Sequence, residues 1–273
     1  MSEKNRDAKR AARERLVEER EKQKARDRRR RGLIVGAGLV GVLALAAVIG
    51  VVAANSGKDD SSNSASTVVA PQGATGKDSL TIPVGASDAP STLTVWEDFR
   101  CPACDQFENA FRGTVHELES TGQIKVEYHL ATLIDGNMGG SGSLRASNAA
   151  ACAQTAGKFP AYHDVLYENQ PEETNDGFAK NSRLLQLAGR VGGLRTSAFE
   201  SCVNGGKHDG WVKKSNEAFQ KGQFSGTPTV QLNGEAVYPK KGNEQISPDN
   251  LKKWVAEANK GKKAGSLPPS PTA

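Results

Sequence analysis

The stretch Trp96-Glu97-Asp98-Phe99-Arg100-Cys101-Pro102-Ala103-Cys104 decides how the chain reads, because a Cys-x-x-Cys pair falls where one structural period gives way to another. Upstream, Leu93 and Val95 fall on one face and Thr94 and Trp96 on the other, which predicts a strand over Leu93 to Glu97. Downstream, Pro102 suits a first helical position, and Phe107, Phe111, Val115 and Leu118 make one apolar stripe, which predicts a helix. The first sulfur then lies near unsatisfied amide N–H groups at the positive end of the helix dipole. A thiolate is favoured there, and such settings lower a cysteine pKa from about 8.5 to roughly 3.5 to 7.5. Cys101 is therefore the expected nucleophile. Cys104, one turn into the helix, is the expected resolving thiol that attacks the mixed disulfide. Pro102 and Ala103 shape the turn between them, Pro102 by stiffening it. A short structural bridge or half of a zinc site would also place two cysteines this way. Zinc is the weaker rival: there is no second Cys-x-x-Cys, and His116, His129, His163 and His208 show no ligand spacing.

Ser79 to Pro83 reads as a strand before this unit, and Ile124, Val126, Tyr128 and Leu130 alternate with Lys125, Glu127 and His129 as a strand after it. From about 144 to 224 the pattern is helical, with pieces expected at Ala146 to Tyr167, Asn181 to Val191, Ser197 to Val203 and Asp209 to Gly222. Thr229 to Leu232 and Ala236 to Tyr238 then flank Asn233-Gly234, a hairpin signal. A last helix starts at Ser247 as N-cap and Pro248, with Leu251, Trp254, Val255 and Ala258 on its buried face. The histidines read as structural, with His129 on the polar side of its strand. Glu97 and Asp98 have two readings: a carboxylate that accepts the resolving thiol's proton, or an exposed charge at a strand end.

The formal net charge of +5 is unevenly spread. Residues 1–31 hold 14 of the 36 basic and 7 of the 31 acidic residues, leaving 22 basic and 24 acidic in the remainder. This basic tail lacks the aromatic interleaving and the fold of a nucleic-acid binder. It reads as a solvated, topology-setting segment near anionic headgroups, with a specific binding arm as the alternative. Leu33 to Ala54 contains only Leu, Ile, Val, Ala and Gly, and about 20 such residues span a bilayer, so residues 32–54 are expected to form a transmembrane helix. Arg28 to Arg31 immediately before it place the N-terminus in the cytoplasm and the rest outside. A cleaved signal peptide competes, since Val52 and Ala54 are small enough for a cleavage site, but the leading region is long and the apolar run exceeds a usual signal core. Residues 55–77, rich in Ser, Ala, Gly and Asn, read as a flexible tether, 78–262 as the folded domain, and 263–273 as a disordered tail. All four cysteines, 101, 104, 152 and 202, lie beyond the span, where disulfides persist; their three possible pairings are not distinguished by sequence.

The Trp96–Cys104 stretch, followed much later by Gly226-Thr227-Pro228-Thr229 just before the Asn233-Gly234 hairpin, resembles the DsbA-like branch of the thioredoxin superfamily over about residues 78–260. The resemblance implies an α/β thioredoxin fold with a helical insertion at about 144–224. It also implies that Pro228 is a cis-proline facing the cysteines, with Thr227 presenting its backbone to a substrate chain. Without it, Pro228 reads as an ordinary loop-to-strand proline. Actinobacterial members resemble the arrangement of Cys152 and Cys202, which implies that these two form a structural disulfide rather than two buried free thiols.

The resulting expectation is a single-pass membrane protein whose extracytoplasmic domain oxidises cysteines of exported polypeptides through Cys101 and Cys104, using an exposed thiolate and no metal or organic cofactor. The resemblance further implies a membrane, quinone-linked partner that reoxidises it, such as a vitamin K epoxide reductase-like enzyme. Ala103, where a histidine would help stabilise the thiolate, and Thr227 before the proline leave isomerase or reductase activity open. A non-enzymatic, membrane-tethered chaperone or assembly factor that holds extended chains near Pro228 is the rival of another class.

Overall fold

The computed structural model describes residues 68–266. The expected basic tail, the 32–54 span, most of the tether and residues 267–273 lie outside the described residues. Among the described residues, no helix is long and apolar enough to cross a membrane.

Alternating apolar residues build one five-stranded sheet. Its strands are β1 (Ile82–Gly85), β2 (Ser91–Glu97), β3 (Ile124–Leu130), β4 (Thr229–Leu232) and β5 (Glu235–Ala236), in the order β1-β3-β2-β4-β5. β2 runs parallel to β3, with Leu93 opposite Val126 and Glu97 opposite Leu130, and antiparallel to β4, with Val95 opposite Val230. The parallel pair needs a crossover, and α1 (Pro102–Ser120) supplies it. Phe107, Phe111, Val115 and Leu118 of α1 are all buried, each side chain contributing about 1.5 to 3 kcal/mol by leaving water. Pro83 cannot donate to a ladder, and it sits in β1 at the sheet edge, where that loss is tolerated. Asn233 (φ 52°) and Gly234 (φ 85°) turn β4 into β5 in the left-handed conformations that a two-residue hairpin requires.

Six helices lie between β3 and β4: α2 (Leu133–Met138), α3 (Gly142–Thr155), α4 (Phe159–Tyr167), α5 (Asn181–Ala188), α6 (Ser197–Asn204) and α7 (Asp209–Lys221). The insertion thus begins about ten residues before the expected 144, with α2. The helix expected over Ala146 to Tyr167 is two helices. Gly157 (φ 68°) ends the first and Pro160 opens the second, while the apolar pattern runs through the break unchanged. Residues 146–153 of α3 are all buried, so this small-residue helix is the hub against which the other insertion helices pack. A disulfide joins Cys152 in α3 to Cys202 in α6, with a Cα–Cα distance of 6.0 Å. The chain finishes with a small hairpin, β6 (Lys240–Lys241) and β7 (Glu244–Gln245), which the sequence reading lacks, and α8 (Pro248–Ala258). Ser247 caps α8, its hydroxyl accepting the Asn250 N–H at 3.1 Å, and Leu251, Trp254 and Val255 bury its inner face.

Two segments read as flexible are partly held to the domain. Thr75 and Thr81 exchange two backbone hydrogen bonds, and the Val69 carbonyl accepts from His208 Nδ1 at 2.7 Å, so 68–77 pack although their composition suggests a tether. At the other end, the Gly265 N–H donates to the Gly122 carbonyl and the Ser266 N–H to Asp88 Oδ1, each at 2.8 Å.

Candidate active site

β2 and α1 meet at Cys101, which is the N-cap of α1 in extended conformation (φ −76°, ψ 118°), with Pro102 opening the helix and Ala103 half-buried behind it. The Cys101 carbonyl accepts the N–H groups of Cys104 (3.0 Å) and Asp105 (3.1 Å), closing the first turn. Both cysteines are free thiols. Cys101 is 6% exposed and Cys104 is 0% exposed, so Cys101 is more enclosed than the exposed thiolate expected from the sequence.

Their acidities diverge. The Cys101 pKa is lowered to about 6, first by a hydrogen bond from the Cys104 thiol, then by the Thr227 side chain and the amides of Cys104 and Ala103, against the opposing effect of burial. The Cys104 pKa is pushed well above its ordinary value, first by burial and then by the hydrogen bond and charge of Cys101. One sulfur is thus a thiolate at neutral pH while the other keeps its proton.

The loop before β4 faces this pair. Thr227-Pro228 is a cis peptide, and the Thr227 carbonyl lies 3.3 Å from Cys101 Sγ, accepting from the protonated thiol. The Thr227 hydroxyl has no other partner among the described residues, and the Thr229 hydroxyl ties the loop to the Gly226 carbonyl at 2.7 Å. Phe224, Gly226, Thr227, Pro228, Tyr238 and Pro239 help line an open groove of about 450 Å³ here.

Three residues fix the turn from behind. Asp98 is fully buried, and its carboxylate accepts the Arg100 N–H (2.8 Å) and the Ile134 N–H (2.9 Å). Burial raises its pKa to about 6. Arg100 turns inward, its guanidinium bonded to Asp135 Oδ1 (2.6 Å) and to the carbonyls of Gly139 (2.9 Å) and Glu173 (3.2 Å), with Asp176 at 3.2 Å. Gln170 Nε2 donates to the carbonyls of Phe99 (2.9 Å) and Cys101 (3.1 Å). Arg100 and Gln170 carry no local signal in the sequence, since their partners lie tens of residues away.

Glu97 is not an exposed strand-end charge: it is 0% exposed. Its Oε1 meets His163 Nε2 at 2.9 Å, its Oε2 has no partner, and Glu108 is buried beside them. Burial disfavours a charged His163, but the Glu97 and Glu108 carboxylates outweigh it and raise its pKa. Burial likewise raises Glu108, to about 8. His129 stacks on Trp96 with ring centroids 4.1 Å apart. Among the described residues, two groups of side chains have metal-ligand spacing, Glu97/Glu108/His163 and Cys152/Cys202/His208. In the first, His163 Nε2 is engaged by Glu97, and in the second both sulfurs are in the disulfide.

A family model described as Thioredoxin matches residues 77–257. The oxidised DsbA of Mycobacterium tuberculosis is 27% identical, with a TM-score of 0.56 over 69% of this chain and 94% of that one. The reduced disulfide bond oxidoreductase DsbG of the same species is 26% identical, with a TM-score of 0.56 over 69% of this chain and 89% of that one. The serine/threonine-protein kinase PknE of M. tuberculosis is 27% identical over 159 residues, 54% of this chain. The match spans only 27% of the kinase's length, about a quarter.

Proposed function

The chain belongs to the thioredoxin family, and from that premise we propose that it is a DsbA-like protein thiol–disulfide oxidoreductase that oxidises cysteines of exported polypeptides outside the cytoplasm. The observation that carries this reading is the geometry of the two sulfurs, Cys101 at the N-cap of α1 beside the cis Thr227–Pro228 loop and Cys104 fully buried one turn into the helix, which splits their acidities, lowering Cys101 and raising Cys104.

The cycle follows from that split. A substrate thiolate attacks Cys101 Sγ of the oxidised Cys101–Cys104 bridge, forming a mixed disulfide and releasing Cys104, which takes up a proton. A second substrate thiolate attacks the first substrate sulfur of the mixed disulfide, forming the substrate disulfide, and the bond to Cys101 Sγ breaks to expel Cys101 as a thiolate. The substrate loses two electrons and gains a disulfide, and the pair Cys101/Cys104 gains both electrons. A thiolate of low pKa leaves fast, so the acidity of Cys101 favours this direction. Glu97, buried on the strand that leads into the motif and near enough for its charge to raise the Cys104 pKa, is the proposed acceptor of the Cys104 proton. Thr227, with its carbonyl beside Cys101 Sγ, aligns the substrate backbone.

The Leu33–Ala54 apolar run behind Arg28–Arg31 supports a membrane anchor with the domain outside. A domain returned to the dithiol state in each turnover needs an electron acceptor, and a quinone-linked membrane protein is the partner proposed here. The test is a Cys101→Ser variant on a reduced, disulfide-requiring substrate. Loss of oxidative refolding is expected; refolding at the wild-type rate would instead favour a holding role. Protease treatment of intact cells should digest the domain, and full protection would contradict the placement.

A further inference from the structure

Two grooves are each lined by a residue that contacts Cys101, Thr227 in one and Gln170 in the other. One is the Thr227–Pro228 groove already described. The second, of about 540 Å³, is lined by Asn169, Gln170, Pro171, Asn175, Lys180 and Arg183 among others, and lies along the loop that joins α4 to α5. Gln170 links it to the chemistry. The same side chain that forms part of this groove's wall holds the Cys101 carbonyl at 3.1 Å, so the groove reaches within one side chain of the reacting residue.

The charges of this groove have one sign. Lys180 and Arg183 line it, and no carboxylate does. Lys180 is exposed and has no ion pair among the described residues, and Arg183 is engaged only by the neutral Gln186 amide at 2.9 Å. The acids of the neighbouring chain are directed elsewhere. Asp176 accepts the N–H groups of Ser141 and Gly142, each at 2.9 Å, and lies beside Arg100. Glu168 pairs with Arg112 at 2.6 Å, and Glu172 and Glu173 stay outside the lining. The Asn175 side chain and the Gln170 side-chain oxygen have no hydrogen-bond partner among the described residues and are available to a peptide backbone.

We propose that this second groove is a substrate subsite that takes the extended segment flanking the reacting cysteine and selects an Asp or Glu side chain through Lys180 and Arg183. The inference rests on the reading above that Cys101 exchanges with polypeptides, and it adds a preference that the Thr227–Pro228 side does not supply.

The test uses the full-length oxidised protein in detergent and three matched cysteine peptides, with glutamate, lysine or an uncharged residue at the flanking positions. At low salt the glutamate peptide should react about five-fold faster than the lysine peptide, as expected of two partly exposed ion pairs, and the gap should narrow as salt is raised. Lys180→Glu with Arg183→Glu should reverse the order. Both positions are at the start of α5, where acidic residues suit the helix dipole, so the variant is expected to fold; Lys180→Glu alone at an exposed site should at least equalise the two peptides. Arg195→Glu, at an exposed pair with Glu200, should leave the wild-type order in place. Equal rates for the two charged peptides, or an order unchanged in the double variant, would overturn the subsite. No reaction with the uncharged peptide would overturn the exchange reading first and the subsite with it.

Discussion

Replacing Cys104 with alanine should make Cys101 a weaker acid, and the size of the change follows from the geometry. The Cys104 thiol is the largest of the influences that bring Cys101 down to about 6. A hydrogen bond to a charged group is worth about 1.5 to 3 kcal/mol, or roughly 1 to 2 pKa units at 1.36 kcal/mol each, so Cys101 should move to about 7 to 8. At pH 7 its thiolate fraction would then fall from about nine tenths to between a half and a tenth. The sign also matters for the couple. A lowered folded-state pKa stabilises the folded dithiol form above the unfolded value, and this is lost as pH falls through about 6. At pH 7 the contribution is on the order of 1 kcal/mol, equivalent to a few tens of millivolts for a two-electron couple. The assay is the pH dependence of iodoacetamide alkylation at Cys101, followed by mass, in the reduced wild type and in Cys104→Ala. Midpoints that coincide, or a wild-type midpoint near 9, would refute the reasoning.

Removing the Cys152–Cys202 bridge with paired alanines opens a loop whose ends are 50 residues apart, and denaturant unfolding should show a loss of about 4 kcal/mol. A loss under about 1 kcal/mol would mean that helix packing already holds α3 and α6 together. Glu97→Gln removes the carboxylate bonded to buried His163, leaving Glu108 and the more distant Asp164, and urea titration should show a loss of up to about 3 kcal/mol near neutral pH. With Glu97 in place the pKa of His163 is raised, so the pair's contribution is full below about 6.5 and fades as pH rises towards the elevated folded value. That alkaline decline should be smaller in the variant, where Glu108 and Asp164 alone face the imidazole. Gly234→Ala puts a side chain at φ 85° in the β4–β5 turn and should cost about 1 to 2 kcal/mol by the same titration, whereas no change would mean that the turn relaxes to another type.

The elements nearest the cysteines were legible because their signals are local. The Phe107–Leu118 stripe, the alternation of Ile124–Leu130, the Asn233-Gly234 turn and the Ser247 cap each need only a few consecutive residues. Trp96 shows where that stops: alternation puts it on the polar side of β2, yet it is buried because Phe219 of α7 and Phe224 close over it. The break at Gly157 is masked by apolar residues that continue at helical spacing on both sides. The brace behind the motif is the least legible part. Arg100 meets Asp135, Glu173 and Asp176, and Gln170 reaches back to Phe99 and Cys101, through contacts that only the folded insertion creates. Residues 68–77 mislead in the same way, since backbone pairing between Thr75 and Thr81 is invisible to composition.

An acidic Cys101 beside a buried, weakly acidic Cys104 should make an oxidising couple, which the reduction potential of Cys101/Cys104, measured by equilibrating the protein with glutathione buffers at pH 7, will reveal. A value of about −120 to −180 mV is the result expected. A value near about −270 mV, as for a reductant, or the lack of any reversible couple, would contradict it.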